Sequence, residues 1–336
     1  MPTGMQQINE LAEKFINASP KNPCPVCGAK KWCGFNSRIA FCMHESTGAI
    51  AKVPYRDGSG RFGYVHSLTG ECTYQPAVFL VAPKAVELAS IKSRDRVYRD
   101  FLAGLRLERQ HREDLLRRGL TSEQIDARGY RSMPGLETSW AVIQRLLDMG
   151  HRLEGIPGFY LAQGRHRGYW THLRPAGYFI PVRDEQGRIQ ALQIRRDHST
   201  DGGGKYMLFS SGSRGGASSH TPAHVARPAV LNDRQVWITE APLKADIASD
   251  LLGAVVIGAI GVDGWPQAIP AVQELGARSV VIAFDADEAG RRVSGRVKEV
   301  LESQEYAVAE ASWEGAKGID DALAGGVAIR VEPSEE

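Results

Sequence analysis

Long apolar runs are missing from this 336-residue sequence. None approaches the roughly 18 residues that a membrane-crossing helix needs, so no membrane partner is expected. The opening segment, MPTGMQQINELAEKF, has no basic stretch followed by an apolar block. It does not read as a secretory signal, and the expected compartment is the cytoplasm. Net charge is nearly missing as well. The 41 Lys and Arg against 39 Asp and Glu leave +2, too little for whole-chain charge to select a partner. Lysine is scarce, with 11 residues beside 30 Arg. Arginine offers a planar fork suited to phosphates, although a GC-rich genome also enriches arginine everywhere. Placement says more: ten Arg and seven acidic residues fall between Arg94 and Arg131, a local excess of three positive charges.

Cysteine is sparse too. The five are an odd number, and four of them lie between positions 24 and 42. That is a metal-site distribution and not a disulfide framework. In NPCPVCGAKKWCGFNSRIAFCMH, Cys24 and Cys27 form a Cys-Pro-Val-Cys-Gly knuckle, a tight turn that lets two sulfurs reach one ion. Phe35 to Phe41, apolar around Asn36-Ser37-Arg38, reads as a hairpin whose second strand carries Cys42. Cys24, Cys27, Cys33 and Cys42 then close a tetrahedral Zn²⁺ site, with His44 as the alternative ligand in place of Cys33. Four protein ligands leave no open position, so the expected role is structural. Cys72 reads as a small core residue.

Further along, Tyr55 to Leu68 reads as a hairpin with a Gly-rich turn. It would close a zinc-ribbon domain over residues 1–68, with 69–92 as a linker. From Arg94 a helical pattern begins, with Val97, Phe101 and Leu105 on one face. A second helix, RQHREDLLRRG, stops at Gly119; a third opens with Thr121 and Gln124 in capping-box spacing; a fourth runs from Ser139 to Gly150. Strands follow, Tyr178 to Val182 and Ile189 to Ile194 making a hairpin. The Gly/Ser-rich stretch around Lys205 and Tyr206 either lets phosphates approach the backbone or is a plain surface loop. From Val236 strands alternate with helices, which implies an α/β domain with a parallel sheet. The expected domains are 93–235 and 236–328, with 329–336 as a tail.

The stretch SVVIAFDADEAGRR drives an apolar strand into two aspartates one residue apart. If both are extended, Asp285 and Asp287 project side by side. Such a pair is tolerable when solvated, or when a cation such as Mg²⁺ sits between the carboxylates. In parallel sheets ligands bind beyond the carboxyl ends of the strands. Glu240 and Asp285 sit at such ends and Asp287 just beyond, so the three are expected to converge on one metal site.

The region from Val236 to about Ala324 resembles a TOPRIM domain, the metal-binding fold of bacterial-type primases and topoisomerases. The residues that carry the likeness are Glu240 in ITEAPLKA, Asp285 and Asp287 in FDADEAG, and the later acidic segment KGIDDAL. Upstream, RRGLTSEQIDARGYRSMPG looks like the entry to a bacterial primase's polymerase region. FIPVRDEQGRIQALQIRR followed by GGKYMLFSS looks like its basic subdomain. A zinc ribbon in front completes the order. The four-cysteine ribbon and the Pro-Leu-Lys-Ala helix also look like primase-like proteins of phages and plasmids. Departures from the primase pattern are Ala241 after the motif Glu, Lys244 where an Asp is usual with Asp246 two further on, and four cysteines in place of a mixed Cys/His set. A helicase-binding domain is not expected within these residues.

The resemblance implies a primase-like nucleotidyltransferase that makes short primers on single-stranded DNA, in phage or mobile-element replication. Asp285 and Asp287 would hold Mg²⁺ or Mn²⁺ against nucleoside triphosphates, with Glu240 as ligand or base and Asp320 and Asp321 holding a second ion. Arg195, Arg196, Lys205 and Lys244 would meet template or triphosphate. Trp32 and Phe35 would stack on DNA bases or pack around the zinc knuckle. A replicative helicase is the expected protein partner. The rival readings are a TOPRIM nuclease and a non-catalytic single-stranded-DNA-binding module, the latter favoured if the Lys244 cation replaces a metal.

Overall fold

The computed structural model describes residues 16–54, 62–70, 86–164, 168–198 and 204–333. The described N-terminal residues form one compact unit, and the residues from Glu87 to His198 and from Lys205 onward form another. Cys72, the Gly-rich turn of the 55–68 hairpin and most of the expected linker lie outside the described residues.

The N-terminal unit is an antiparallel sheet of β1 (Ile16–Asn17), β2 (Gly34–Phe35), β3 (Ile39–Cys42), β4 (Ala51–Pro54) and β5 (Phe62–Ser67), ordered β1-β2-β3-β5-β4. The expected hairpin is β2–β3. Asn36 closes it by accepting from the N–H groups of Arg38 and Ile39, each at 2.9 Å, the local bonding that makes Asn a turn residue.

The second unit opens with α1 (Ile91–Ala103), capped by Ser90, whose side chain accepts from the Ser93 N–H. It continues with α2 (Arg109–Arg117), α3 (Ser122–Arg128), β6 (Arg131–Ser132) and α4 (Leu136–Asp148). Both reciprocal bonds of the Thr121/Gln124 capping box are present. The fourth helix starts three residues earlier than its sequence suggests. Gly135 is its N-cap, and Ser139 is a buried interior residue. A two-stranded ribbon follows, β7 (Phe159–Gln163) with β8 (Gly168–His172). Then come β9 (Gly177–Arg183), β10 (Ile189–Arg196) and β11 (Tyr206–Leu208), in a sheet ordered β11-β10-β9-β6. One face of this sheet packs on α1 and α4 through Phe179, Leu192 and Ile194. Tyr178 and Ile180 on the other face meet Leu115 of α2 and Ile125 of α3.

The C-terminal sheet contains β12 (His224–Ala226), β13 (Val236–Thr239), β14 (Val255–Gly258), β15 (Ser279–Ile282), β16 (Ala307–Ser312) and β17 (Arg330–Pro333), ordered β12-β14-β13-β15-β16-β17. Its four central strands are parallel; β12 and β17 flank them antiparallel. Residues 330–333, expected as a tail, supply the edge strand. The helices are α5 (Pro242–Leu252), α6 (Ala268–Glu274), α7 (Glu288–Ser303) and α8 (Ile319–Ala324). Side chains alternate across the sheet as a period of two requires. Val236 and Ile238 face α6 and α7, while Trp237 faces α5 and α8. Helix α5 belongs to both subdomains. Ala245 and Ala248 lie on the parallel sheet, and Leu243 and Ile247 pack with Tyr178 and Ile180 of β9.

Candidate active site

Carboxylates gather at the carboxyl ends of β13 and β15, where an open α/β sheet places its ligands. Glu240 follows β13 directly. Pro242 at the head of α5 starts that helix at once, its fixed φ suiting the first turn. The four-residue spacing then brings Lys244 back beside Glu240. Lys244 Nζ donates to Glu240 Oε1 at 2.9 Å and also to Asp285 Oδ1. The helix start packs so tightly on β14 that a Cβ at Gly258 would fall 2.7 Å from the Ala241 carbonyl oxygen.

Asp285 and Asp287 do not project side by side. Strand β15 ends at Ile282, and the chain then turns so that the Asp287 N–H donates to the Asp285 carbonyl at 2.8 Å. The turn breaks the alternation of an extended strand. Asp285 goes inward, 3% exposed, and Asp287 swings out to cap α7, accepting from the Gly290 N–H at 2.9 Å. That N–H, with Lys317 adding to it, holds the Asp287 carboxyl below its ordinary range. Lys317 Nζ bridges the pair, 3.2 Å from Asp287 Oδ2 and 3.5 Å from Asp285 Oδ2. The backbone brings it there, since the Ala286 N–H donates to the Lys317 carbonyl at 2.9 Å.

Asp320 and Asp321 also part company, because neighbours on a helix point in different directions. Asp321 is exposed. Asp320 is 4% exposed, and its Oδ1 has no hydrogen-bond partner. It looks into the carboxylate group: a Cβ at Gly318 would lie 2.4 Å from Asp320 Oδ1, 3.0 Å from Lys244 Nζ and 3.2 Å from Asp285 Oδ1. Burial pushes the Asp320 carboxyl up, and burial together with the Asp285 carboxylate does the same for Glu240. Glu240, Asp285, Asp287 and Asp320 thus face two ammonium groups, leaving two negative charges and one buried oxygen without a donor. An all-oxygen set with that deficit fits a hard divalent cation such as Mg²⁺ or Mn²⁺. The carboxylates are not drawn onto one point, however. Among the described residues only the cysteines bring three ligand atoms within 4.8 Å of one another.

Asp246, one helical turn past Pro242, takes no part. It is buried on the opposite side of α5 and accepts from Arg128, from Tyr130 Oη at 2.6 Å and from His224 Nε2 at 3.0 Å. Burial alone would raise its pKa; Arg128 and His224 overcome that and hold it at about 2.

A basic cleft of about 590 Å³ adjoins α8, lined by Asp114, Arg117, Arg118, Arg195, Lys205 and Asp321 among others. Asp114 is its hub. It accepts from Arg117 at 2.8 Å, Arg118 at 3.1 Å, Arg195 at 2.9 Å and the Tyr178 hydroxyl at 3.1 Å. Three guanidinium groups on one carboxylate leave a positive surplus. The Arg195 cation accordingly presses the Lys205 ammonium pKa down. Strand pairing sets this geometry, as Arg195 lies opposite Tyr178 on one side and Tyr206 on the other. Arg195, expected to meet template or triphosphate, lines the cleft but is 8% exposed and ion-paired to Asp114. Arg196 is half-buried at the end of β10 and does not line the cleft. The exposed Arg117 and the half-buried Arg118 were not singled out from the sequence. The available signal was a pair of arginines ending a helix that carries Asp114 one turn earlier.

In the N-terminal unit, Cys24, Cys27, Cys33 and Cys42 have their sulfurs mutually within 4.8 Å. The Met43 N–H points at Cys33 Sγ (3.4 Å) and the Glu45 N–H at Cys42 Sγ (3.3 Å), contacts that favour thiolate. Burial pushes the Cys33 thiol far up, so a cation is needed to hold the set ionised. The cluster fits a zinc ribbon, with His44 Nδ1 outside it, 3.6 Å from Cys27 Sγ and from Cys33 Sγ. Phe35 packs against the cysteines, and Trp32 is 54% exposed.

A family described as Toprim-like matches residues 249–323. That span contains Asp285, Asp287, Asp320 and Asp321 and begins after Glu240. Among solved structures, the zinc-binding and RNA polymerase domains of the Aquifex aeolicus primase superpose with a TM-score of 0.53 at 14% identity, over 72% of this chain and 63% of that one. The chain therefore spans less than two thirds of that structure's length. The RNA polymerase domain of the Mycobacterium tuberculosis primase DnaG, solved with a double-stranded DNA oligomer carrying a 6-nucleotide overhang, gives 0.51 at 16% identity, over 71% and 80%. Among curated proteins none matches the chain. The chain thus carries a Toprim-like domain on the fold of bacterial primase zinc-binding and polymerase domains.

Proposed function

We propose that the protein is a primase-like nucleotidyltransferase that makes short primers on single-stranded DNA. One observation carries the reading: α8 sends Asp320 into the carboxylate group and Asp321 into the basic cleft. A site short of positive charge and a cleft with a surplus of it are therefore neighbours. A nucleoside triphosphate has the matching needs, a metal for its phosphoryl oxygens and cations for the rest. Asp285 and Asp287, backed by the Glu240 and Asp320 carboxylates, would hold Mg²⁺ or Mn²⁺, which offsets charge on the transferring phosphoryl group. Arg117, Arg118 and Lys205 bind phosphates. Arg195 holds Asp114 and through it the cleft's shape. Glu240 has a carboxyl raised by burial, which suits it to take the proton of an attacking hydroxyl.

Incubation with single-stranded DNA, labelled ribonucleotides and Mg²⁺ or Mn²⁺ tests the reading; short products are expected, and their absence with both ions sinks it. A nuclease would instead shorten the DNA without triphosphates. A second reading, a non-catalytic DNA-binding module that recruits a helicase, draws support from Lys244 and Lys317, which already lie on the carboxylates. It predicts DNA binding with no response to metal.

The four cysteines are assigned a structural Zn²⁺. Cys33→Ser should release it, read with a chromogenic chelator, whereas His44→Ala should retain it. The reverse result would move the ligand set to His44. The exposed Trp32 is the better candidate of the two aromatics for stacking on a base. The four-cysteine ribbon and the Pro-Leu-Lys-Ala helix favour a setting in mobile-element replication.

A further inference from the structure

The two lysines on the carboxylates differ in how they are held. Lys244 has a side chain 19% exposed, fixed by the first turn of α5 to Glu240 and Asp285. Asp320 Oδ1, buried and without a donor, faces the same point. Lys317 is 67% exposed and reaches Asp285 and Asp287 from solvent. Asp285 gives one oxygen to each lysine, Oδ1 to Lys244 and Oδ2 to Lys317. That is how a carboxylate bridges two cations. We propose that Lys244 is a permanent cation filling one of two cation positions, and that a single divalent ion enters the other, between Asp285 and Asp287, displacing the Lys317 ammonium.

The inference rests on the metal-dependent reading above and narrows it to one exchangeable ion. Charge supports the count: Lys244 plus one divalent ion set three positive charges against four carboxylates. A second divalent ion at the inner position would have to share it with an ammonium that the helix cannot withdraw. Two-ion sites place their metals about 4 Å apart, and such a pair needs the inner position free. Displacement at the outer position is easy by comparison, because an exposed lysine returns to water at little cost.

Mn²⁺ titration of the full-length, zinc-loaded protein tests this, with unbound Mn²⁺ counted by its paramagnetic resonance signal and folding checked by circular dichroism. One ion is expected for the wild type. Lys317→Ala should still take one, several-fold more tightly, because its competitor is gone. Lys244→Ala should take two; Lys244→Gln, which keeps a hydrogen-bonding side chain, serves if the alanine variant does not fold. Two ions in the wild type, or one in a folded Lys244 variant, overturns the inference and leaves the proposed function intact. Unchanged affinity in Lys317→Ala overturns the displacement. No ion in the wild type overturns inference and function together. One ion with no primer formed upholds the inference and overturns the function.

Discussion

Asp246 and Asp320 are both buried aspartates, 2% and 4% exposed, on helices that pack against one face of the same sheet. Asp246 is fully matched: a guanidinium, an imidazole and a phenol converge on it, and its pKa is held at about 2. Asp320 has an oxygen with no donor, and burial pushes its pKa up. The matched aspartate holds the fold. The unmatched one is tolerated at a cost to the fold, which is how groups reserved for a ligand behave. Burial does not separate the two cases; the presence of a donor does.

The sharpest way to break the comparison is to neutralise each in turn. Asp246→Asn should destabilise the protein by about 2–3 kcal/mol, because it removes the charge shared by Arg128, His224 and Tyr130 while Arg128 keeps only the Asp250 carboxylate, read from urea unfolding. If the loss is under about 1 kcal/mol, the network is not structural. Asp320→Asn should leave the melting temperature unchanged or raise it, since an amide relieves an uncompensated buried carboxylate. Primer synthesis should nevertheless fall by about a hundredfold, the scale of losing one electrostatic contact at a reacting centre. Equal activity in that variant would return Asp320 to the fold.

Acid sharpens the contrast. The folded pKa of Asp246 lies below its ordinary value of 3.8. Its contribution is therefore complete above about pH 4 and is lost as pH falls through 2. The difference corresponds to about 2 kcal/mol. Urea unfolding between pH 5 and pH 2.5 should show this slope in the wild type and a flatter one in Asp246→Asn. The smallest effect belongs to the cleft. Arg117→Ala and Lys205→Ala should each weaken single-stranded DNA binding and lower the slope of log affinity against log salt by about 1. Arg196→Ala should leave that slope alone, as its side chain does not line the cleft.

The cysteine set was legible in the sequence because its ligands lie close along the chain and their spacing is the geometry. The strand–helix alternation from Val236 and the Thr121/Gln124 cap were legible for the same local reason. What escaped depends on contacts between distant segments. Asp285 and Asp287 look like an extended pair until the bond from the Asp287 N–H to the Asp285 carbonyl turns the chain. Asp320 and Asp321 look like one doublet until the helix sends them to different sites. Lys244 could be placed beside Glu240 by spacing, but its contact with Asp285 comes from the turn after β15, 41 residues later in the chain. The pairing of Arg195 with Asp114 escaped because no local pattern announces it. Strand β17 was missed because an exposed edge strand carries little apolar alternation.

Helix α5 can be considered as a mechanical part. One side carries the Lys244 ammonium; the other is pinned by Arg128 to Asp246 and Asp250 and by Tyr130 to Asp246. Its apolar residues are wedged between two sheets. A rod clamped on opposite sides can neither roll nor slide without breaking buried ion pairs, so it behaves as a fixed mount for that ammonium. The Lys244 ammonium is thereby held in one place beside Glu240 and Asp285.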